Sequence, residues 1–226
     1  MPLRDPKHDL RRRARSQEDK ALVREDFIAA GRRLLAAEGA AGVSLRRVAA
    51  EAGYAPGSIY QYFHDQQDLF FHIRGRDMDS ATEHLRQAIA RTRDPARRVH
   101  KLFMATADHW LAHMEEFLEI FPAPSLREPP PLDSEGRPFG RSRAVVDSLQ
   151  LYYDTVDAFF ATLPRPPLSS RLAADTLLAS VFGTIAFPCM TRTMAWSDTR
   201  AMVSQLVEAM LAQWAAKGAA RATRTR

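Results

Sequence analysis

A run of polar side chains at residues 58–62 can form hydrogen bonds without adding charge. Ser58, Tyr60, Gln61 and Tyr62 occur together here, separated once by the apolar Ile59. Hydroxyl groups can bind phosphate oxygens, and a glutamine amide can pair with the edge of a base. These side chains are therefore candidates for contacts with a nucleic acid.

The residues around this run predict two short helices joined by a tight turn. Ser44 suits an N-cap, Gly53 suits a left-handed helix stop, and Pro56 suits the first position of a second helix. Ile59 and Phe63, four residues apart, give the second helix a buried face. A helix this short is not stable alone. A helix-turn-helix, in which the first helix supports the second in the DNA major groove, explains the pattern.

The stretch also resembles the DNA-binding signature of TetR-family transcriptional regulators. The matching pieces are residues 42–46, 48–49, 52–54, 56–63 and 68–70. Two positions depart from the family pattern. Ala55 stands where the family usually has Ser or Thr, and Gln66 stands where it usually has Lys. The resemblance implies that this Lys binds a phosphate, so we expect that contact to be weaker or made elsewhere.

We predict contacts with base edges from Gln61 and Tyr54. The predicted phosphate contacts come from polar or basic side chains of both helices, namely Ser44, Arg46, Ser58, Tyr60 and Tyr62. Tyr60 has an alternative role, which is packing against the first helix.

Composition excludes several classes of protein. The 226 residues carry a net charge of +5 with a single cysteine, Cys189, which leaves no internal disulfide and no four-cysteine zinc site. The charged N-terminus is not a secretory signal, and the longest uncharged run, residues 176–191, is shorter than the ~20 residues of a membrane span. We therefore predict a cytoplasmic protein that does not enter a membrane. No phosphate-binding Gly-rich loop, Gly-x-Ser-x-Gly elbow or His-Glu-x-x-His motif occurs, so we predict neither an enzyme nor a cofactor.

The predicted fold is all-α, with about nine helices. An N-terminal three-helix helix-turn-helix DNA-binding domain (21–67) precedes a larger C-terminal helical ligand-binding and dimerisation domain (68–217). Residues 1–20 form a basic arm and residues 218–226 a basic flexible tail. The arginines at 11–13 and 15 belong either to a solvated tail or to an arm that reaches DNA, and both hold if the tail orders on DNA.

Apolar periodicity predicts the individual helices. They cover residues 21–38, 65–93, 95–121 as one helix or two, 141–163, 169–194 and 198–217. The proline-rich segment 122–140 is predicted to be an irregular connector rather than a mobile flap beside a ligand entrance. The last two helices are apolar on more than one side, which predicts a two-fold four-helix bundle in a homodimer. The resemblance implies the same dimer and a palindromic double-stranded DNA operator.

The resemblance further implies a small-molecule site among the middle helices. Aromatic and apolar side chains at helical spacing are the candidates for its lining, although such a stripe is more often core: Phe103, Met104, Ala107, Trp110, Phe117, Phe121, Tyr152, Tyr153, Val156 and Phe159. As a set they favour an apolar or aromatic effector.

Two histidines in this region have a spacing that can bind a metal. His109 and His113 lie one helical turn apart, with Glu116 one turn further on. No further ligand is evident, so we predict no metal and interpret them as solvated or core-edge residues. Cys189 is interpreted as a small buried residue rather than a redox sensor.

These patterns together predict a dimeric one-component regulator, a repressor that is released from its operator by an effector. The alternative is a helical ligand-binding or protein-interaction module with weak or lost DNA binding, and Ala55 and Gln66 are the residues that support it. A helical enzyme is the third reading.

Overall fold

The computed structural model describes residues 17–121, 132 and 136–223, with side chains up to residue 220. Within these ranges the chain forms eight α-helices, close to the nine or so predicted. The helices are α1 (Gln17–Glu38), α2 (Leu45–Glu51), α3 (Gln66–Ile89), α4 (Pro95–Ala112), α5 (Met114–Ile120), α6 (Arg143–Phe160), α7 (Ser170–Met190) and α8 (Thr199–Thr223). The described ranges contain no β-strand beyond an isolated bridge between Leu132 and Pro138. The all-α prediction is confirmed.

Short polar side chains cap the first turns of α2 and α3. Ser44 accepts a hydrogen bond from the Arg47 amide at 3.3 Å at the start of α2, as predicted. Asp65 accepts from the Asp68 amide at 2.8 Å, while the Asp68 carboxylate accepts from the amide of His64 at 3.0 Å. Each bond satisfies an amide that has no partner inside the helix.

Gly53 ends the first helix of the motif by adopting a left-handed conformation. Its φ angle is +78°, in the region where a side chain would be strained. The chain can therefore reverse direction directly after α2, as the sequence predicted.

The first compact unit comprises residues 17–76, 132 and 136–142. Phe27 of α1 is fully buried at its centre, and its ring centroid lies 5.0 Å from that of Tyr54, 5.4 Å from that of Tyr62 and 6.4 Å from that of Phe63. Phe27 belongs to one hydrophobic core with Val48, Ile59 and Phe63, and the partly buried Leu34 packs against that core.

Helices α1 and α3 approach closely at Gly31. A Cβ atom at this position would lie 3.0 Å from Ile73 and 3.3 Å from Leu69, both fully buried. The first turns of α3 thus belong to the core of the N-terminal unit. This explains why the compact unit extends to Arg76 although residue 67 was the predicted boundary.

The second helix of the motif is shorter than predicted. Only Ser58–Gln61 is helical, as a 3-10 turn, with bends and turns on either side. No side chain caps it, and Ala55 instead supplies the carbonyl that accepts from the Ser58 amide at 2.9 Å. A segment of four residues favours the tighter i to i+3 bonding.

The second compact unit comprises residues 77–121 and 143–223. Helix α4 packs against α6, α7 and α8, and α6 and α8 also pack on α7. The segment 95–121 forms two helices, because α4 ends at Ala112 and α5 begins at Met114. The core includes Phe103, Val156 and Leu177, all fully buried.

Two helices extend into segments that the sequence analysis assigned to the N-terminal arm and the C-terminal tail. Helix α1 begins at Gln17, inside the predicted arm 1–20, because Glu18 and Asp19 in its first turn complement the helix dipole. Helix α8 continues to Thr223, beyond the predicted end at residue 217. The arginines at 11–13 and 15, most of the segment 122–140 and residues 224–226 lie outside the described residues.

Candidate DNA-binding surface and ligand cavity

The 3-10 turn presents polar side chains that have no partner within the described residues. Tyr60 is 53% exposed, and Gln61 is exposed beside it. Tyr62 is partly buried against Phe27, and this burial raises the pKa of its hydroxyl, which therefore stays protonated as a donor. Three of the predicted contact residues are thus available to an external partner.

Two other predicted contact residues are engaged inside the unit. The Tyr54 hydroxyl donates to the Asp26 carboxylate at 2.7 Å, and its ring packs on Phe27. The Ser58 hydroxyl donates to the Ala55 carbonyl at 2.7 Å. The Tyr54 bond ties the segment before the turn to α1, and the Ser58 bond lies within the turn segment itself.

Helix α2 presents one unpaired cation. Arg47 pairs with Glu38 at 2.6 Å, and Arg33 of α1 pairs with Glu51 at 3.2 Å. Arg46 is exposed and has no acidic partner in the described part of the chain. Ser44 accepts from the Arg47 amide, so its own hydroxyl proton remains free to donate.

A groove of about 360 Å³ adjoins the 3-10 turn. It is lined by Gln17, Lys20, Ala21, Arg24, Gln61 and Tyr62. Lys20 is exposed, and the Arg24 guanidinium lies 5.2 Å from the Phe63 ring centroid. The groove places a basic side chain beside Gln61. Sequence reasoning missed this because it assigned residues 17–20 to the flexible arm.

The amide of Gln66 has a structural role. It donates to the Ala40 carbonyl at 3.1 Å, which ties the start of α3 to the link before α2. Gln66 therefore supports the motif from a position where the family pattern has a phosphate-binding Lys.

The second unit contains a cavity of about 240 Å³. It is lined by side chains of α3, α4, α6 and α7 together with Phe121: Met78, Ala81, Leu85, Trp110, Phe121, Val145, Ser148, Leu149, Tyr152, Leu178, Ala179 and Phe182. None of the lining residues is charged. The ring centroid of Phe121 lies 5.9 Å from that of Trp110 and 5.2 Å from that of Phe182, which makes part of the wall aromatic.

Three of the ten predicted pocket residues line this cavity, namely Trp110, Phe121 and Tyr152. Phe103, Met104, Ala107, Phe117, Val156 and Phe159 are buried but do not line it. Tyr153 faces outward, where the Arg171 guanidinium stacks 3.9 Å from its ring centroid and Asp175 accepts from its hydroxyl at 3.0 Å. The residues from α3 and α7 were missed because an apolar residue that faces a cavity has the same helical spacing as one that faces core.

Three histidines lie in a row beside the cavity wall. The ring centroid of His109 is 5.5 Å from that of His84 and 4.7 Å from that of His113. The pKa of His109 is lowered to about 4. Burial is the largest cause, and the neighbouring imidazoles of His113 and His84 lower the pKa further. His113 lies 3.7 Å from Glu116. No group of three side chains suited to a metal occurs within the described ranges.

Helix α7 is long and apolar enough to cross a membrane by length and composition alone. Only 28% of its most apolar window is buried within the chain. Phe187 and Met190 near its C-terminal end are 52% and 66% exposed. Helix α7 therefore presents an apolar face that the described part of the chain does not cover.

The two units define a class of protein: an all-α helix-turn-helix protein with a larger helical unit built around an apolar cavity. Residues 27–73 match the model of the family described as bacterial regulatory proteins, tetR family. The resemblance of this chain to the TetR family is thereby confirmed in the helix-turn-helix at residues 27–73.

Individual relatives agree with this assignment. An HTH-type transcriptional regulator of Staphylococcus aureus (strain USA300) is 36% identical over 50 residues, which are 22% of this chain and 27% of that protein. The chain thus matches about a quarter of the length of its curated relatives, 27%.

Solved structures extend the likeness to the whole fold. A transcriptional regulator of the TetR/AcrR family from Thermobifida fusca YX-ER1 aligns with a TM-score of 0.60 at 20% identity, over 83% of this chain and 96% of that one. FadR from Bacillus subtilis, solved in complex with stearoyl-CoA, aligns with a TM-score of 0.58 at 18% identity, over 83% of this chain and 97% of that one. At these identities the likeness establishes the fold.

Proposed function

We propose that the protein is a cytoplasmic, dimeric one-component transcriptional regulator that represses its target genes. It binds a palindromic operator through the helix-turn-helix and is released by a small-molecule effector. The observation that carries the proposal is the TetR-family match at residues 27–73 together with the polar surface formed by Tyr60, Gln61 and Tyr62. The polar groups of these three side chains form no hydrogen bond with any described residue.

The free side chains define the roles on DNA. Gln61 is exposed at the C-terminal end of the 3-10 turn and reads a base edge, because its amide can both donate and accept. The hydroxyls of Ser44, Tyr60 and Tyr62 donate to phosphates. We assign Tyr54 and Ser58 to positioning, since their hydroxyl protons are already donated within the unit.

The charge that attracts DNA comes from a few unpaired cations. Arg46 and Lys20 are exposed and lack an acidic partner in the described residues, whereas Arg47 and Arg33 are paired. The arginines at 11–13 and 15 remain proposed contributors. Neutralising phosphates releases counterions, so binding must weaken steeply as salt rises.

Dimerisation explains the uncovered apolar face of α7. A large exposed patch on a soluble protein marks an interaction surface, and a two-fold axis lets the same patch cover itself. Replacing Phe187 with Glu would place a charge in this interface. We expect Phe187→Glu to form monomers in light scattering, while Leu22→Glu, at a residue of α1 that is 58% exposed, leaves the mass unchanged. A dimeric Phe187→Glu protein would exclude this face.

Regulation requires two linked states. The effector occupies the cavity in the second unit, whose lining includes Met78, Ala81 and Leu85 of α3, the helix that also supplies Leu69 and Ile73 to the core of the first unit. A shift of α3 would change the spacing of the two recognition turns. The coupling is reciprocal, so operator DNA must weaken effector binding by the same factor.

A gel-shift titration on a duplex selected from a random library tests the DNA-binding function. The wild type should bind one sequence with an affinity that falls steeply with salt. Gln61→Ala should lose about 1–3 kcal/mol of discrimination at one base pair. Gln87→Ala, which removes an exposed glutamine that bonds Glu83 on α3, is the matched control. Failure to select any sequence would favour the module that has lost DNA binding.

A further inference from the structure

The cavity in the second unit has almost no polar surface. Its described lining contains no acidic or basic side chain, and only Ser148 and Tyr152 contribute hydroxyl groups. A charged group placed here would lose its hydration without gaining a counter-charge. The part of a ligand that enters must therefore be neutral.

The Tyr152 hydroxyl is already used within the chain. It lies 2.8 Å from Thr106 Oγ1, and Thr106 in turn donates to the Leu102 carbonyl at 2.9 Å. Tyr152 must therefore donate to Thr106. Burial raises the pKa of Tyr152, which keeps the group protonated and its proton directed at Thr106 rather than at a ligand.

Ser148 differs from every other buried hydroxyl residue of the neighbouring helices. Thr82, Thr106 and Thr155 each donate to the carbonyl one helical turn earlier, at 2.8, 2.9 and 2.7 Å. Ser148 is only 8% exposed and lines the cavity, yet its hydroxyl makes no hydrogen bond within the described residues. Its oxygen is not one of the fully enclosed polar atoms that lack a partner, so it opens onto the cavity, where a bound molecule can form a hydrogen bond with it.

We propose that Ser148 is the polar anchor of the effector site, and that the effector is a small, neutral, largely apolar molecule with one hydrogen-bonding group, such as a hydroxyl or a carbonyl. A serine hydroxyl can donate and accept, so it suits either group. The cavity of about 240 Å³ is smaller than the ~300 Å³ at which drug-sized sites begin, which sets the size of the effector. This inference rests on the proposed effector-controlled function and specifies the chemistry of its site.

Three matched probes test the proposal on the full chain without DNA. They are 2-phenylethanol, ethylbenzene and phenylacetate, which share a ring and two carbons but carry a hydroxyl, no polar group and a carboxylate. Their dissociation constants are measured by calorimetry. We expect 2-phenylethanol and ethylbenzene to bind and phenylacetate to bind at least tenfold more weakly than 2-phenylethanol.

The variants separate the anchor from the cavity. Ser148→Ala should weaken 2-phenylethanol roughly three- to tenfold, as expected for one neutral hydrogen bond, and should not weaken ethylbenzene. Ser180→Ala, a partly buried serine of α7 that does not line the cavity, should change neither. The melting temperature of Ser148→Ala should not fall, because no intramolecular hydrogen bond is removed.

Each other outcome overturns the proposal. Equal weakening of both neutral probes by Ser148→Ala would show a change of shape, and no weakening of 2-phenylethanol would show that Ser148 does not anchor it. Tightest binding of phenylacetate, or binding of none of the three, would exclude this ligand class. Because no DNA is present, these results are independent of the operator titration. A protein that binds 2-phenylethanol through Ser148 but selects no operator would contradict the proposed regulator alone.

Discussion

The two units of the molecule place their chemistry in opposite ways. The N-terminal unit has a core centred on the fully buried Phe27 and carries its candidate contacts outside, on a four-residue turn. The C-terminal unit has its candidate site inside, in a gap of about 240 Å³ between helices. A DNA duplex is far too wide for a gap of this size, so the residues that contact it must be exposed on the surface. A small apolar ligand gains most of its affinity by leaving water, so its site must be enclosed.

The two units also differ in what their polar side chains bind. In the N-terminal unit, residues such as Tyr54 and Gln66 use their polar groups to hold the turn in place. In the C-terminal unit, Ser148 keeps its hydroxyl unused within the described residues. Both units therefore use some polar groups to hold their own structure, and the free ones lie on the surface in the first unit but at the cavity in the second.

The largest expected effect is the loss of stability when a residue of the filled core is truncated, compared with the loss at a residue of the cavity wall. Phe27→Ala should lower the free energy of unfolding of the first unit by about 3–5 kcal/mol and abolish operator binding, because it opens a void among three aromatic rings. Phe121→Ala, at a cavity-lining residue that is 38% exposed, should cost only about 1–2 kcal/mol. Urea titrations followed by circular dichroism measure both. Equal losses would contradict the contrast between the two units.

The next largest effect is expected at two helix caps, one in each unit, whose loss should cost a similar amount of stability. Ser44 caps α2 through the Arg47 amide at 3.3 Å, and Asp94 caps α4 through the Arg97 amide at 2.7 Å. Either residue changed to Ala should cost about 1 kcal/mol of stability. Only Ser44→Ala should also weaken operator binding, which a gel shift well below the melting temperature would show. Weakened DNA binding by Asp94→Ala would break the distinction.

Unpaired and paired arginines of the N-terminal unit should differ in their salt response. Arg46→Ala should reduce the slope of log affinity against log salt by about 0.9 for each recognition unit, as for one lost phosphate contact. Arg33→Ala removes a cation that already pairs with Glu51 and should leave the slope nearly unchanged. The measurement is a gel shift at several salt concentrations. The same slope for Arg46→Ala and the wild type would exclude Arg46 as a phosphate contact.

The smallest expected effect is a pH dependence confined to the C-terminal unit. The pKa of His109 is lowered to about 4, whereas an unfolded histidine titrates near ~6.5. The unfolded state therefore binds more protons than the folded state between these two pH values. The contribution of neutral His109 to the free energy of unfolding is fully present above pH ~6.5 and is lost as the pH falls towards 4. His109→Gln should flatten this decline in melting temperature. Gln87→Ala, at an exposed residue of α3 that does not titrate, is the control that should not flatten it.

Much of the N-terminal unit could be predicted from the sequence, because the residues that determine its helix ends and its buried face lie close together in the chain. The Ser44 cap, the left-handed Gly53 and the apolar pair Ile59 and Phe63 depend on neighbours within a few residues, and each is found as predicted. The family match at residues 27–73 covers this same part of the chain. The sequence overstated the second helix, since propensity does not distinguish a short α-helix from a 3-10 turn.

Only the tertiary structure revealed the contacts between residues that are far apart in the chain. Tyr54 meets Asp26, Gln66 meets Ala40, and these pairings decide which polar groups remain free for DNA. The cavity is a stronger case, because Leu85 and Leu178 line it together although either could equally have faced core. Helical spacing specifies which side of a helix is buried. Whether the space beyond that side is filled or empty depends on how the other helices pack against it.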